Sequence, residues 1–398
     1  MKERLIIKNF GPIKSVDLEL GKMSVLIGPS ASGKSTILKV LAICRYFSYL
    51  VEGSDLSKGK GLDSVSTALD DWDIKGFANR KTQINYENDD YFVSFKVFDF
   101  DLFGETIGAL IPNLSPKSDR FKSLIDGFYS LIPKNKLDSA LYWGGIPHNF
   151  LTGHVKKVMD NPFYFPTERG LQSIFSLGKS SIHNLSDSLF NQFALLDKVS
   201  KGFKEEVEIE PLGISYFFDN GQGFFKHKGV VHPFKQAASG FKSVTPIALA
   251  IKYYSTIVRR RRTFLVEEPE QNLFPETQKA LIEYLSSTIK EFGHSMVLTT
   301  HSPYILTSLE NLMYADRLGN TEEGKYNEEV NAIVDKKYWI NQDDISVYYL
   351  GETAIDLMDR KESLINKEYI DSVSKIVNNV FDQLLDIELK TENNTEAE

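Results

Sequence analysis

Hydrophobic and polar positions at the start of the chain alternate in a way that predicts three short strands, at residues 4–10, 16–20 and 23–27. The third of these is apolar apart from Ser24, which is typical of a strand buried on both faces. A glycine-rich loop follows, and an apolar stretch with helical spacing extends from Ile37 to Phe47. The local order is therefore strand, glycine loop, helix.

Further along the chain, alternating positions predict two hairpins. One spans residues 82–100 around an Asn-Asp-Asp turn, and the other spans 214–231 around Asp219-Asn220-Gly221. Residues 101–160 have a mostly helical pattern that prolines interrupt, and we interpret them as an insertion.

Short apolar runs and helical stripes alternate through the second half. Strands are predicted at 163–165, 263–267 and 295–300, and helices at 171–207, 244–254 and 275–292. Short buried strands that alternate with helices favour an α/β fold with a mainly parallel sheet, flanked here by antiparallel hairpins. Beyond residue 310 the pattern predicts strands at 338–340 and 346–350 and a helix at 367–385, before a polar tail that we expect to be disordered.

Composition excludes a disordered protein, a collagen and a disulfide-rich scaffold. The 398 residues are 42% hydrophobic and 25% charged, as in an ordinary globular protein. A net charge of −8 opposes binding to nucleic acid or to a membrane surface, although a local basic cluster would still permit nucleic-acid binding. The single cysteine, Cys44, predicts no internal disulfide and fits a buried position in a reducing, cytoplasmic protein. No signal peptide or membrane span is expected.

The strongest motif is the glycine loop, which matches G-x-x-x-x-G-K-[ST] between its predicted strand and helix. Backbone N–H groups of such a loop surround phosphates, Lys34 is placed to reach the β- and γ-phosphates, and the Ser35 hydroxyl is placed to bind Mg²⁺. The sequence therefore predicts ATP and Mg²⁺ as cofactors. The nucleotide-binding residues are Gly28, Pro29, Ser30, Ala31, Ser32, Gly33, Lys34, Ser35 and Thr36.

Two adjacent carboxylates, Glu267 and Glu268, end a predicted buried strand, where ligands bind in open α/β sheets. We expect Glu267 to hold Mg²⁺ through water and Glu268 to polarise the attacking water. Aspartate is usual at the first position, so Glu267 is a departure that affects how efficient hydrolysis can be. His301 directly follows the strand at 295–300 and is expected to contact the γ-phosphate or the attacking water.

The order of these motifs, together with FYFPTERG, QAASGFKS and VLTTHSPYIL, resembles the ABC-type ATPases of the RecF/OLD-like group, which are related to the heads of SMC proteins. The resemblance covers about residues 1–310. It implies an ATPase head whose two copies enclose two nucleotides between them. Ser239 and Gly240 would then contact the γ-phosphate bound by the second copy, although the same residues also suit an ordinary helix start.

Other segments leave alternatives open. Thr167, Glu168 and Arg169 occupy the place of a loop that usually carries a Mg²⁺-binding glutamine, or they form an ordinary turn after a strand. The basic run Arg259–Arg262 would bind DNA or an acidic partner, but a solvated helix end is the favoured interpretation. The segment after residue 310 is too short for the nuclease module of some OLD-like proteins, and the insertion is too short for a long coiled-coil arm.

The resulting hypothesis is a stand-alone ATPase whose dimerisation, or higher homo-oligomerisation, controls a separately encoded effector, in phage defence or DNA repair. A scaffold or sensor that hydrolyses little ATP is the alternative, and a transporter subunit is disfavoured because the full signature is missing. The predicted layout is an ATPase head in two parts (1–100 and 161–310), an insertion (101–160), an extension (311–390) and a tail (391–398).

Overall fold

The structure is a computed structural model and describes residues 3–45, 69–70, 72–102, 105–119, 122–123, 162–169 and 187–367. Its strands are β1 (Glu3–Phe10), β2 (Ile13–Leu20), β3 (Met23–Ile27), β4 (Gln83–Glu87), β5 (Tyr91–Leu102), β6 (Glu105–Pro116), β7 (Phe163–Phe165), β8 (Val207–Ile209), β9 (Ile214–Asp219), β10 (Gln222–His227), β11 (Val230–Pro233), β12 (Thr263–Glu267), β13 (Ser295–Thr300), β14 (Ile345–Leu350), β15 (Ala354–Asp356), β16 (Met358–Asp359) and β17 (Leu364–Ile365). Its α-helices are α1 (Lys34–Arg45), α2 (Asp187–Lys201), α3 (Ser239–Lys252), α4 (Pro275–Phe292), α5 (Pro303–Asn320) and α6 (Asn327–Ile333).

The central sheet has the order β15-β14-β3-β13-β12-β7. All of its neighbouring strands pair in parallel except β15, which is antiparallel at one edge. Parallel pairing brings the carboxyl ends of β3, β12 and β13 to the same edge of the sheet. The predicted α/β fold with a mainly parallel sheet is therefore confirmed.

Side chains of the central strands alternate between two apolar cores. Leu26, Leu265 and Val297 face the core that contains α1 and the strands of a five-stranded antiparallel sheet, ordered β2-β1-β4-β5-β6. Val25 and Leu298 face the other core, which contains α3, α4 and α5. Both faces of the sheet are covered, which explains why its strands are continuously apolar in sequence.

Residues 101–102 and 105–116 form strand and not helix, so the expected helical character of the insertion is wrong for these residues. β5 runs across residue 100, and β6 pairs with it from Glu105 to Pro116. Pro112 lacks an N–H group but lies on the edge strand of the described sheet, where a proline is tolerated. Apart from 117–119 and 122–123, the rest of the insertion lies outside the described residues.

Other boundaries also differ from the expectation. Helix α2 ends at Lys201 and residues Val207–Ile209 form β8, although a helix was expected to extend to residue 207. Helix α3 begins at Ser239 and not at Val244, and residues 336–338 form a 3₁₀ turn where a strand was expected at 338–340. The segment after residue 310 is more than an extension, because β14 pairs directly with β3 in the central sheet. The predicted helix at 367–385, the tail, and residues 171–186 fall outside the described residues, except for Lys367.

Two smaller expectations concern Cys44 and the membrane. Cys44 is fully buried, and burial raises the pKa of its thiol well above the ordinary value, as a structural small hydrophobe requires. Among the described residues, every helix is too short or too polar to cross a bilayer.

Candidate nucleotide site

A cavity of 480 Å³ lies at the carboxyl ends of β3, β12 and β13. The glycine loop that follows β3 forms one side, and residues that follow or end β12 and β13 form the other. The lining residues are Pro12, Ser30, Ala31, Gly33, Lys34, Ser35, Thr36, Phe77, Glu268, Thr299 and His301. The topology thus brings the loop, Glu268 and His301 together, although they are far apart in sequence.

The glycine loop has the tight curvature of an anion-binding loop. Ala31 and Gly33 have positive φ angles of 62° and 95°. A methyl group at Gly28 would overlap the carbonyl oxygen of Leu350 on β14, so only glycine fits where the loop leaves the sheet. The buried Ser32 hydroxyl has no hydrogen-bond partner in the structure. An unpartnered donor in such a loop fits a phosphate ligand.

Lys34 is buried at the first position of α1. Its ammonium donates hydrogen bonds to the carbonyl oxygens of Gly28 and Pro29, at 2.9 and 2.8 Å. Burial lowers the pKa of Lys34, and the nearby carboxylates of Glu268, Glu267 and Glu270 oppose that shift. The loop therefore holds a cation whose only direct partners here are neutral carbonyl groups, within the described residues.

Glu267 ends β12 and is almost completely buried. The Tyr164 phenol on the neighbouring strand β7 donates a short hydrogen bond to Glu267 Oε1. The Ser35 hydroxyl lies near this carboxyl group and can also donate to it. Burial raises the pKa of Glu267, while these two donors favour its charged form. Ser35 and Glu267 are therefore near each other, as a shared Mg²⁺ site would require.

Glu268 has a φ of 41°, a left-handed conformation that is uncommon for a residue with a side chain. Its N–H donates to the carbonyl oxygen of Thr299 at 2.9 Å, which fixes the backbone to β13. Its Oε1 lies 3.6 Å from Nε2 of His301, and both side chains are about one-third exposed, at 34% and 40%. This distance exceeds a direct hydrogen bond, so both groups can contact a third group between them.

Glu270 is a buried carboxyl group that sequence reasoning did not single out. Its Oε1 accepts hydrogen bonds from the Thr300 hydroxyl at 2.6 Å and from the backbone N–H of His301 at 3.0 Å. Burial raises the pKa of Glu270. Glu270 therefore fixes the backbone at His301, and the third acid in the sequence Glu-Glu-Pro-Glu was the available signal.

Ser239 and Gly240, which were expected to contact a nucleotide bound by a second copy, lie away from the cavity. Ser239 is exposed at the first turn of α3, and neither it nor Gly240 lines the cavity. A Cβ at Gly240 would lie 2.8 Å from the carbonyl oxygen of Asn272, so glycine allows α3 to pack closely on the loop after Glu268. Neither Ser239 nor Gly240 therefore contributes to this cavity.

Thr167, Glu168 and Arg169 form a single 3₁₀ turn after β7, and none of them lines the cavity. Arg169 is completely buried and points its guanidinium into the protein. Phe77 lines the cavity and Tyr164 bonds to Glu267, yet both resembled ordinary core residues in the sequence.

The basic run Arg259–Arg262 precedes β12 and lies at the opposite end of that strand from Glu267. Arg259 donates to the carbonyl oxygen of Thr256, at the end of the helical segment, and Arg262 donates to the Tyr254 hydroxyl while stacking on its ring at 4.5 Å. These contacts agree with the interpretation as a helix end.

The residues present fit MgATP. The loop supplies an unpartnered Ser32 hydroxyl and a buried ammonium, and Ser35 with Glu267 supplies the hydroxyl and carboxylate oxygens that Mg²⁺ prefers. Mg²⁺ is usually held in proteins by one or two such groups together with substrate phosphates.

Comparisons with solved structures find SMC heads at low similarity. An SMC head bound to the C-winged helix domain of ScpA is 13% identical (TM-score 0.42; 77% of this chain and 91% of that chain), and the SMC head domain from Thermotoga maritima is 12% identical (0.34; 77% and 91%). An Smc head domain with an extended coiled coil, bound to the C-terminal domain of ScpA derived from Pyrococcus furiosus, is 12% identical (0.41; 94% and 99%). No curated protein matches the sequence.

Comparison with protein families gives a clear assignment. Residues 1–143 and 168–306 match the AAA ATPase domain, and together they make up well over half of the chain. The matched segments include the glycine loop, the two adjacent carboxylates and His301. The chain therefore belongs to the AAA ATPase domain family.

Proposed function

We propose that the chain is an ATP-hydrolysing ATPase of the RecF/OLD-like group, and that two copies assemble around ATP to control a separate effector. The observation that supports hydrolysis is the cavity in which the glycine loop, Glu268 and His301 face one another. A setting in phage defence or DNA repair is proposed from the resemblance of the motifs alone.

The site residues have distinct roles in this proposal. Backbone N–H groups of the loop and Lys34 bind the phosphates, and Ser35 with Glu267 holds Mg²⁺, which when bound neutralises phosphate charge. Glu268 orients water for attack on the γ-phosphate, and His301, 3.6 Å away, contacts the same water or the phosphate. Glu270 keeps the His301 backbone in place.

Assembly is proposed from the position of Ser239. Its helix start is exposed and outside the cavity, so a second copy is needed to bring it to a nucleotide. The helix N-terminus offers unpaired N–H groups and a partial positive charge to the γ-phosphate of the other copy.

Steady-state hydrolysis of MgATP by the purified protein, followed as released phosphate, tests the proposal. Turnover that Lys34→Ala abolishes would support it, and sedimentation with and without ATP would reveal assembly. Tight ATP binding and assembly with almost no turnover would contradict hydrolysis and favour the scaffold or sensor.

A further inference from the structure

Arg169 is a buried cation with an unusual set of partners. Its side chain is 0% exposed. The guanidinium donates to the carbonyl oxygens of Pro166 (3.0 Å), Ser243 (2.9 Å), Glu267 (2.6 Å) and Glu268 (2.6 Å), and to the Ser243 hydroxyl (2.8 Å). All five acceptors are neutral groups, and four belong to the backbone.

These bonds join three separate elements of the fold. Arg169 itself lies in the turn after β7, Ser243 lies in α3, and Glu267 and Glu268 lie at the end of β12. A planar guanidinium with five donors in a rigid fork can join all three, whereas an ammonium cannot. Any movement of α3 relative to β12 must therefore break or carry along these bonds.

A buried cation is costly, so its presence needs a reason beyond packing. Burial lowers the pKa of Arg169 to about 10, and the nearby carboxylates of Glu270, Glu267 and Glu268 oppose this shift. The acidic groups of the nucleotide site thus offset part of the cost of burying this charge. A hydrophobic side chain of similar volume would fill the space but would release the Glu268 backbone.

Glu268 depends on its backbone being held. Its φ of 41° is strained, its N–H is bound by Thr299, and its carbonyl oxygen is bound by Arg169. The helix bound by the same arginine begins at the exposed Ser239, one turn before Ser243. Arg169 is thus the direct link between the start of α3 and the backbone of Glu268.

We infer that Arg169 is a positioning residue that couples the start of helix α3 to the backbone of Glu268, so that contacts made at Ser239 alter the placement of the Glu268 carboxylate. The inference rests on the proposed function, because it gives this link a role in hydrolysis. Arg169 itself cannot take the place of the Mg²⁺-binding glutamine that is usual in this loop, since a guanidinium has no acceptor for a cation.

Arg169→Lys tests the coupling, with Arg262→Lys as a matched control at the other end of β12. We expect the affinity for ATP to stay within about twofold while turnover falls by about 10- to 100-fold, the usual effect of losing hydrogen bonds to a charged group. A residue that only stabilises the fold would change the unfolding temperature and leave the turnover of the folded protein unaltered.

Hydrogen exchange provides a readout that does not need hydrolysis. In the parent protein with a non-hydrolysable ATP analogue, we expect slower exchange both around Glu268 and in residues 239–243. In Arg169→Lys the slower exchange in residues 239–243 should be lost. The same response in variant and parent would overturn the coupling.

If Arg169→Lys fails to fold, Ser243→Ala takes its place, because it removes one acceptor and keeps the arginine. We expect turnover about three- to tenfold lower with unchanged ATP affinity, and parental turnover would overturn the inference. A parent that binds the analogue without hydrolysing ATP would contradict the proposed function alone, and the exchange experiment would still decide the coupling.

Discussion

The phenol of Tyr164 donates a hydrogen bond to the carboxyl group of Glu267, across two neighbouring parallel strands. This contact gives the glutamate a local role at a position where aspartate is usual. The longer glutamate side chain accepts a hydrogen bond from the phenol and lies near the Ser35 hydroxyl. Both donors favour the charged form of Glu267, although burial raises its pKa.

Tyr164→Phe should therefore weaken Mg²⁺ binding. Without the phenol the pKa of Glu267 rises further, so less of the carboxylate is charged and available for the cation. We expect the half-saturating Mg²⁺ concentration for ATP binding to rise by about three- to tenfold, and more at pH 6 than at pH 8. Tyr348→Phe, which removes a phenol bonded to the Glu19 backbone, is the control. Equal Mg²⁺ dependence in both variants would show that Glu267 does not hold the metal.

Lys34→Ala is expected to abolish ATP binding, with an affinity at least about 100-fold lower by titration calorimetry. In the proposed site the ammonium is the cation that faces the phosphates, and its hydrogen-bond partners among the described residues are two carbonyl groups. Lys22→Ala removes an exposed lysine paired with Asp344 before β3 and should leave binding intact. Undiminished affinity of Lys34→Ala would refute the nucleotide site.

Glu268→Gln should keep ATP binding but lower turnover by about 10²–10⁴, because the amide keeps the shape of the side chain and loses the base. ATP should then accumulate between two copies and give a larger or tighter assembly in size-exclusion chromatography. Glu328→Gln, on the exposed surface of α6, is the control and should behave as the parent.

Adding Ser239→Arg to Glu268→Gln should prevent that assembly, because bulk and charge would then occupy the proposed contact between copies. Parental turnover in Glu268→Gln would mean that the carboxylate roles are wrong. Trapped ATP that does not depend on Ser239 would favour a monomeric nucleotide switch.

The burial of His294 leads us to expect that the protein loses stability in acid. His294 is 1% exposed, its Nδ1 accepts from the Arg262 N–H, and burial lowers its pKa to about 4. The unfolded chain binds a proton near pH 6.5 and the folded protein does not, so the free energy of unfolding falls as the pH drops from 6.5 to 4. We expect this fall in the free energy of unfolding to reach at most about 3 kcal/mol. In denaturant unfolding between pH 7 and 4.5, the free energy of unfolding of His294→Gln should depend less on pH than that of the parent. An identical dependence would show that His294 is not the group responsible for the loss of stability.

The basic run should contribute little to DNA binding. Arg259 and Arg262 are already bonded within the chain, and the net charge of −8 opposes a polyanion. Replacing the exposed Arg259 and Arg261 with Ala should change DNA affinity in fluorescence anisotropy by less than about twofold. A large loss that grows weaker as salt is raised would identify a DNA-binding surface.

Elements were predicted correctly from the sequence where a local pattern is compatible with only one type of structure. The loop from Gly28 to Ser35, the strand ending at Glu267 and the helix starting at Pro275 all lie where they were predicted. Each is defined by a strong local signal, either a motif with fixed flanks or a fully apolar run bounded by turn residues.

Contacts between distant segments could not be predicted in this way. The turn at Thr167–Arg169 matched a family position without showing that Arg169 is buried against α3 and β12. The residues around 110 have helical periodicity but form the strand β6, because they pair with β5 through backbone hydrogen bonds. In both cases tertiary partners decide the structure, and local propensity gives no sign of them.

The pairing of β3 with β13 and β14 has a consequence for how the protein is made. The strand that leads into the glycine loop is far from both of its neighbouring strands in sequence, so they emerge from the ribosome much later than it does. Its apolar residues lack these two partner strands until both have been synthesised, which exposes the nascent chain to aggregation and to chaperones. We expect chains that end before β14 to retain ATP poorly, because the first residue of the glycine loop, Gly28, packs against Leu350 on that strand.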